Sequence, residues 1–165
     1  MIKKILVALA IALPSMAFAQ KFAVVDTETI MTAMPETKAA EEKIQQSSKT
    51  YQDEFDKLNE EINKKFAEYQ ALPEDTPNSI KERRQQEIQE LDDKVRRFQQ
   101  QAQQDLERQH MQLLQPIQEK LLNAIKSVGA EGQYTMIFPN NGMTPIYTGT
   151  DVIDITDAVK AKLGI

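Results

Sequence analysis

The sequence predicts an α+β protein made of a small α/β oligomerisation body and a long antiparallel coiled-coil hairpin of two helices. All five glycines lie in the last quarter of the chain, and Pro73, Pro77 and Pro116 are the only prolines between residues 36 and 128. The middle therefore lacks helix-interrupting residues except at one place. Apolar residues there recur at alternating steps of four and three, which is the heptad repeat of a coiled coil.

Residues 1–19 have the pattern of a secretory signal peptide. Lys3 and Lys4 precede an apolar run at 5–13, and Ala17-Phe18-Ala19 offers the small residues that a signal peptidase requires. The run is shorter than the ~20 residues needed to span a bilayer. We expect cleavage near Ala19 and a mature chain that begins at Gln20. Because the chain has no cysteine, we expect neither a lipid anchor nor disulfides, and the mature protein should be soluble.

The heptad seam is divided between two helices by the breaker Pro73-Glu74-Asp75-Thr76-Pro77. Folding the chain there sets residues whose numbers sum to about 150 opposite one another. Ser48 and Lys65 interrupt the seam. The second helix is expected to start at Ser79, which forms a capping box with Glu82, or at Thr76 before Pro77. The apolar seam positions are Ile44, Tyr51, Phe55, Leu58, Ile62, Tyr69 and Leu72, followed by Ile88, Leu91, Val95, Phe98 and Ala102.

Pro116 falls beside the expected start of the first helix. We therefore expect this proline to bend the second helix and end the arm, with residues 117–128 packing in the body. The arm is then 36–114, and each helix of about 35 residues reaches roughly 50 Å. The body comprises 20–35 and 115–165.

Both ends of the mature chain contribute elements to the body. Phe22-Ala23-Val24-Val25 reads as a buried strand, followed by a short helix at 27–34. Further strand candidates are 134–138 and 145–147, separated by the turn sequence Pro139-Asn140-Asn141-Gly142. Asp154-Ile155-Thr156-Asp157 predicts the cap of a last helix that ends at Gly164.

The size of the body predicts self-association. A small three-stranded body without disulfides buries too little apolar surface to be stable alone, so burial between subunits is expected. The residues expected to support the oligomer body are Val24, Val25, Ile137, Phe138 and Ile155.

The sequence predicts no catalytic, metal or cofactor site. His110 is the only histidine, no glycine is followed by lysine, and no Gly-x-Ser-x-Gly elbow occurs. Charged residues alternate in sign along the helices, which is typical of solvated faces. Lys94, Arg96 and Arg97 form the densest basic cluster, which we expect to pair with Asp92 and Asp93. Without residues 1–19 the chain has 18 basic and 25 acidic residues, a net charge of −7 that argues against nucleic-acid binding.

Three aromatic residues of the arm have two interpretations. Phe66, Tyr69 and Phe98 could be partly exposed and form adhesive spots for a partner. The spacing favours the other interpretation, that they are part of the hairpin's own seam, because apolar stripes at helical spacing are usually core.

Two terminal segments carry a family resemblance. The signal peptide, Phe22-Ala23-Val24-Val25-Asp26, Met34-Pro35-Glu36 before the hairpin, and the ending Tyr147…Asp151-Val152-Ile153-Asp154-Ile155-Thr156 resemble the Skp/OmpH family of periplasmic chaperones. The resemblance covers the whole mature chain. It implies a homotrimer whose bodies combine their sheets into one core, and hairpins that surround a cavity. It also implies that unfolded outer-membrane β-barrel proteins are held there without ATP.

The charge of this chain departs from the basic members of that family. Residues 60–90 contain five basic and eight acidic residues, a net charge of −3, so we transfer no lipopolysaccharide or anionic-membrane site. Client affinity should then depend weakly on salt. The alternative function is a structural coiled-coil spacer or adaptor of the cell envelope, with tightly packed seams and one fixed partner.

Overall fold

The computed structural model describes residues 20–142 and 144–165, so the predicted signal peptide 1–19 lies outside the described residues. Seven elements follow one another along this part of the chain, which divides into two compact units, one of 20–31 with 121–165 and one of 32–120. In order they are β1 (Phe22–Val25), α1 (Thr27–Ala33), α2 (Pro35–Gln70), α3 (Asn78–Glu131), β2 (Met136–Pro139), β3 (Ile153–Asp154) and α4 (Thr156–Leu163). Two long helices and a small sheet confirm the predicted fold class.

The three strands form one parallel sheet in the order β2-β1-β3. Ala23 in the central strand is paired with Ile137 on one side and with Ile153 on the other. Val24 is paired with Phe138 and Asp154. Since a central strand of a parallel sheet is covered on both faces, its residues read as a continuous apolar run, as the sequence FAVV does.

Hydrogen bonds fix the ends of the body elements. Asp26 caps α1 by accepting from the Thr29 amide at 2.8 Å and the Thr29 hydroxyl at 2.6 Å. The Thr156 hydroxyl accepts from the Asp26 amide at 2.9 Å, which ties the end of β1 to the start of α4. Gly164 ends α4 with φ 79°, a left-handed conformation that glycine adopts without a steric penalty. The predicted C-terminus of this helix is confirmed.

One predicted strand is wrong. Residues 145–147 form no strand; the third strand is the short segment Ile153–Asp154. Pro145 has no amide hydrogen to give a sheet ladder. Ile146 and Tyr147 are 98% and 84% exposed in the connection between β2 and β3.

The hairpin helices end where the turn residues predict. Pro35 occupies the first turn of α2, where a missing amide hydrogen costs nothing. The connection at 71–77 is held by a bond from the Thr76 amide to the Pro73 carbonyl at 3.1 Å and by Lys81 Nζ, which donates to the Glu74 carbonyl at 2.9 Å. Helix α3 begins at Asn78, between the two starts that the sequence allowed.

Pro116 does not end a helix. Helix α3 runs without interruption through Pro116 to Glu131, and the division between the two compact units falls after residue 120. Proline in a helix interior costs about 3 kcal/mol. An apolar stripe that continues past it outweighs this cost, because each buried Ile or Leu contributes about 1.5–3 kcal/mol. The buried members of the stripe are Ile117, Leu121, Ala124 and Val128.

Among the described residues, no helix combines the length and the apolar character needed to cross a membrane.

Candidate functional site

Three polar contacts between α2 and α3 define the register of the hairpin. Glu36 forms an ion pair with Lys120, the Tyr51 hydroxyl donates to Asp105 Oδ2 at 3.2 Å, and Lys65 Nζ lies 3.7 Å from Glu87 Oε2. Ascending positions on α2 thus meet descending positions on α3. The helices are antiparallel, as predicted. The paired residue numbers sum to 152–156 instead of about 150, so the register is shifted by up to six residues.

The centre of the hairpin contains a gap in the seam, with a cavity volume of about 310 Å³. The Tyr51 and Phe98 rings meet edge to face there, with centroids 6.0 Å apart and an angle of 61° between their planes. Both rings are half-buried. The full lining is Ser48, Tyr51, Gln52, Phe55, Phe98, Gln99, Ala102, Gln103 and Leu106. We refer to this cavity as the seam gap.

Two small residues explain the seam gap. Ala102 on α3 is buried in the seam, whereas Ser48 on α2 lies at the exposed rim of the gap, and its neighbour Ser47, not Ser48 as predicted, is half-buried. Neither Ser48 nor Ala102 is long enough to cover the space between the helices. Leu58 and Val95 lie further along the seam and are only 4% and 8% exposed, so the helices close tightly there. The two small residues, Ser48 and Ala102, therefore leave a local opening flanked by closed seam.

The three aromatic residues predicted to contact a partner lie at two different places. Phe98 belongs to the seam gap. Phe66 is 50% exposed on the outer half of α2, one residue after Lys65, and Tyr69 is half-buried near the end of that helix. Eleven residues separate Phe66 from Phe55 in the gap, which is roughly 16 Å along a helix. The structure therefore does not bring the three together.

Sequence reasoning did not single out Tyr51 and Phe55 as site residues. Both were assigned to the seam, and both lie in the seam, but they are half-buried rather than buried. The signal that could have identified them is the serine at position 48, together with the alanine that the fold-back places opposite, at position 102.

A charged cleft lies on the outer half of the hairpin. Its lining residues are Glu61, Lys65, Glu87, Glu90, Leu91, Lys94 and Arg97, around a volume of about 360 Å³. Arg84 donates to Glu87 at 2.8 Å, and this hydrogen bond is the main cause of the lowered pKa of that carboxyl. Three carboxylates balance three cations in the lining, so the cleft is no anion site.

Charge pairing is also observed in the basic cluster at 94–97. Arg96 Nη2 lies 2.7 Å from Asp92 Oδ2, which confirms the predicted pairing for this residue.

The residues predicted for assembly are partly the core of the body itself. Val24, Val25 and Ile155 are at most 6% exposed within the single chain. Ile137 is half-buried and packs on Gly129, where an added Cβ would lie 2.8 Å from Ile137 Cδ1. Phe138 is 37% exposed and is therefore the predicted assembly residue with the most free surface.

Other apolar side chains extend the exposed surface of the body. Met136 is 52% exposed and follows the same alternation on β2 as Phe138, and Ile153 on β3 is 47% exposed. The sheet of a single chain thus presents apolar side chains at both of its edge strands.

His110 has no arrangement around it that would support catalysis. It is exposed on α3 in a shallow pocket of about 290 Å³, and the pocket is otherwise lined by Met111, Leu114, Gln115 and Gln118. None of these side chains is an acid or base that could orient an imidazole. Within 20–142 and 144–165, no three His, Cys, Asp or Glu side chains converge as metal ligands.

The solved structures include a similar fold. An OmpH-like protein of Caulobacter crescentus, named as a candidate outer membrane chaperone, has a TM-score of 0.72 and 15% identity to this chain. The alignment covers 87% of this chain and 83% of that protein. At this identity the likeness concerns the fold alone. No curated protein matches the chain in sequence.

A family model described as outer membrane protein (OmpH-like) matches residues 21–163. This range includes the hairpin, the sheet and the terminal segments that carried the resemblance in the sequence. The chain therefore belongs to the OmpH-like family.

Proposed function

We propose that this protein is an ATP-independent periplasmic holdase that binds unfolded outer-membrane β-barrel proteins and prevents their aggregation before insertion. The observation that carries the proposal is the seam gap, where the rings of Tyr51, Phe55 and Phe98 line an opening between the two helices of a charged hairpin. Phe66 adds a further half-exposed ring on the outer half. Exposed apolar surface of this kind is typical of protein-binding sites.

The proposal includes export and assembly. Cleavage near Ala19 releases the mature chain into the periplasm. Residues 20–35 and 115–165 form the trimerisation body, and 36–114 form the client-binding arm. Support comes from Met136, Phe138 and Ile153, whose apolar side chains are left 37–52% exposed on edge strands of the single chain. Burial of these side chains between three copies would compensate for the small core of one body.

Client capture should depend mainly on apolar contacts. The outer arm is not cationic, and the charges in its cleft are mutually balanced. Interactions between surface charges are screened over about 8 Å at physiological salt, whereas apolar burial is not weakened by added salt. We therefore transfer no lipopolysaccharide or anionic-lipid binding.

The seam gap favours the holdase over an envelope spacer. A spacer needs a hairpin whose seam is closed along its whole length, since stiffness comes from close packing. In this hairpin the seam is closed at Leu58 and Val95 but open at the seam gap. Loose packing and exposed rings suit a surface that accommodates many clients.

The proposal is tested by diluting a urea-unfolded outer-membrane β-barrel protein into buffer with the mature chain at increasing ratios. Light scattering follows aggregation, and the series is repeated at high salt and with an equal mass of serum albumin as control. Suppression that saturates near one oligomer per client and persists in salt is the expected result. Undiminished aggregation at every ratio would reject the holdase function.

A further inference from the structure

The seam gap is a groove open to solvent, with a volume of about 310 Å³. A groove of this size has room for one large side chain. Its walls are the rings of Tyr51, Phe55 and Phe98 together with Leu106, and Ala102 lies between the helices with only 9% of its surface exposed. An aromatic ring from a bound protein would fill the space that the small side chains of Ser48 and Ala102 leave between the helices.

The lining carries no formal charge. All four polar residues at the gap, Ser48, Gln52, Gln99 and Gln103, are neutral and exposed. Asp105, which accepts from the Tyr51 hydroxyl, is already paired with Arg108. A carboxylate inserted among the rings would lose hydration and find no cation in the lining. An ammonium or guanidinium group would be attracted to the ring faces but would find no carboxylate in the lining. The lining is therefore least favourable for an anionic guest, and without a counter-ion of either sign it favours an uncharged one.

The neutral rim suits an extended peptide. Glutamine amides can both donate to and accept from backbone groups. In a strand of an outer-membrane barrel, apolar and polar side chains alternate. Successive side chains of an extended chain point to opposite sides, so one ring can enter the gap while the neighbouring polar residues remain outside, beside the glutamines.

We infer that the seam gap is a socket for a single uncharged, preferentially aromatic side chain of an unfolded outer-membrane protein bound in an extended conformation, an assignment that rests on the proposed holdase function. Ser48 and Ala102 determine the depth of the socket, because a longer side chain at either position would occupy it. Tyr51, Phe55 and Phe98 contact the guest ring.

The test uses the full mature chain and an unfolded outer-membrane β-barrel protein with p-benzoylphenylalanine in place of one lipid-facing aromatic residue. Photo-crosslinks are mapped by mass spectrometry. The expected sites fall within 48–55 and 98–106. Ser48→Leu fills the socket from an exposed helix position and should reduce crosslinks there about tenfold, the factor expected when a large apolar side chain loses its burial.

Gln46→Leu is the matched control, since it places leucine at an exposed position two residues away, about 200° around the helix from Ser48, and Gln46 does not line the gap. It should leave the crosslinks unchanged. Gln99→Glu places a charge at the mouth without adding volume and should reduce the crosslinks as Ser48→Leu does. Circular dichroism confirms that each variant retains its helices, and light scattering measures holdase activity in parallel.

The outcomes separate the inference from the function. Wild-type suppression of aggregation with crosslinks spread evenly over the hairpin, and equal in Ser48→Leu, would overturn the socket and leave the holdase standing. Crosslinks at the gap that disappear in Ser48→Leu, without any suppression of aggregation, would support the socket and reject the holdase. Absence of both crosslinks and suppression would overturn both.

Discussion

The Tyr51 hydroxyl donates a hydrogen bond across the hairpin to Asp105, at 3.2 Å, and the ring of the same tyrosine contacts the Phe98 ring edge to face. One residue of α2 thus contacts α3 through a polar and an apolar group. Partial burial and the Asp105 carboxylate raise the pKa of Tyr51. These two contacts hold the Tyr51 ring as a wall of the seam gap.

Tyr51→Phe should retain the aromatic ring that lines the seam gap and lose the hydrogen bond to Asp105. We expect the free energy of unfolding to fall by about 0.5–1.5 kcal/mol at neutral pH. Because the folded-state pKa of Tyr51 is raised, its contribution is present below the ordinary value of 10.0 and is lost as pH rises through the folded-state pKa. Urea unfolding at neutral and alkaline pH measures both effects. If Tyr51→Phe lost as much unfolding free energy at alkaline pH as the wild type does, the alkaline loss could not be attributed to Tyr51.

Glu36 should make the base of the hairpin sensitive to acid. The hydrogen bond from Lys120 holds the pKa of Glu36 below its ordinary value of 4.5. Its stabilisation is therefore present above that value and is lost as pH falls through the folded-state pKa. Glu36→Gln should lower the dependence of thermal unfolding on pH in the acid range, measured by circular dichroism. Glu41→Gln, an exposed position on the same helix, serves as control.

Leu58 and Phe66 should separate stability from client binding. Leu58 is 4% exposed, so Leu58→Ala should destabilise the hairpin by about 2–5 kcal/mol. Phe66 is 50% exposed, so Phe66→Ser should change stability by no more than about 0.5 kcal/mol. If Phe66 contacts clients, Phe66→Ser weakens suppression of aggregation at unchanged stability. Equal activity of Phe66→Ser and wild type would remove Phe66 from the contact surface.

Gly129 should accept an alanine only if the Ile137 side chain moves. An alanine Cβ there would lie 2.8 Å from Ile137 Cδ1, the end of a flexible side chain, and the strain opposes the gain of about 1 kcal/mol that alanine has over glycine inside a helix. Gly129→Ala should therefore change the free energy of unfolding by less than about 1 kcal/mol, and its effect should become more favourable in an Ile137→Val background, which lacks Cδ1. A double-mutant cycle from urea unfolding gives the coupling between the two positions. Additive effects would show that the contact is absent in solution.

Phe138 should be required for assembly. Phe138→Asp places a charge on the exposed apolar surface of β2, and burying an unpaired charge between subunits is strongly unfavourable. Static light scattering should give the mass of three chains for the wild type and of one chain for the variant. Met111→Asp provides a control with the same introduced charge, since Met111 is 58% exposed on α3, outside the strands. A trimer that persists in Phe138→Asp would place the interface elsewhere.

The sequence predicted those features that have a local physical cause. The heptad steps and the breaker at 73–77 predicted the antiparallel pairing that Tyr51 and Asp105 show, although the observed register differs from the predicted one by up to six residues. Gly164 predicted the end of α4 because the left-handed backbone conformation that often ends a helix favours glycine. These features depend on the conformational preferences of a few neighbouring residues.

The features that sequence reasoning missed depend on packing between distant segments. The sequence predicted that Pro116 bends the second helix, whereas the length of α3, which continues through Pro116 to Glu131, depends on the buried stripe that includes Ile117 and Leu121. The seam interruption at Ser48 was visible, whereas the gap required knowledge that Ala102 lies across from it. A short apolar segment such as 145–147 satisfies strand propensity, and only its lack of a pairing partner shows that it is not a strand.

The central strand β1 lies near the start of the described residues, yet its partners Met136 and Ile153 come from near their end. Strand β1 therefore remains unpaired until almost the whole chain has been synthesised. In the hairpin, the pairing of Glu36 with Lys120 reduces the separation of more than a hundred residues between β1 and β2 to two short connections. A chain truncated before Met136 would lack both partners of β1 and could not complete the sheet.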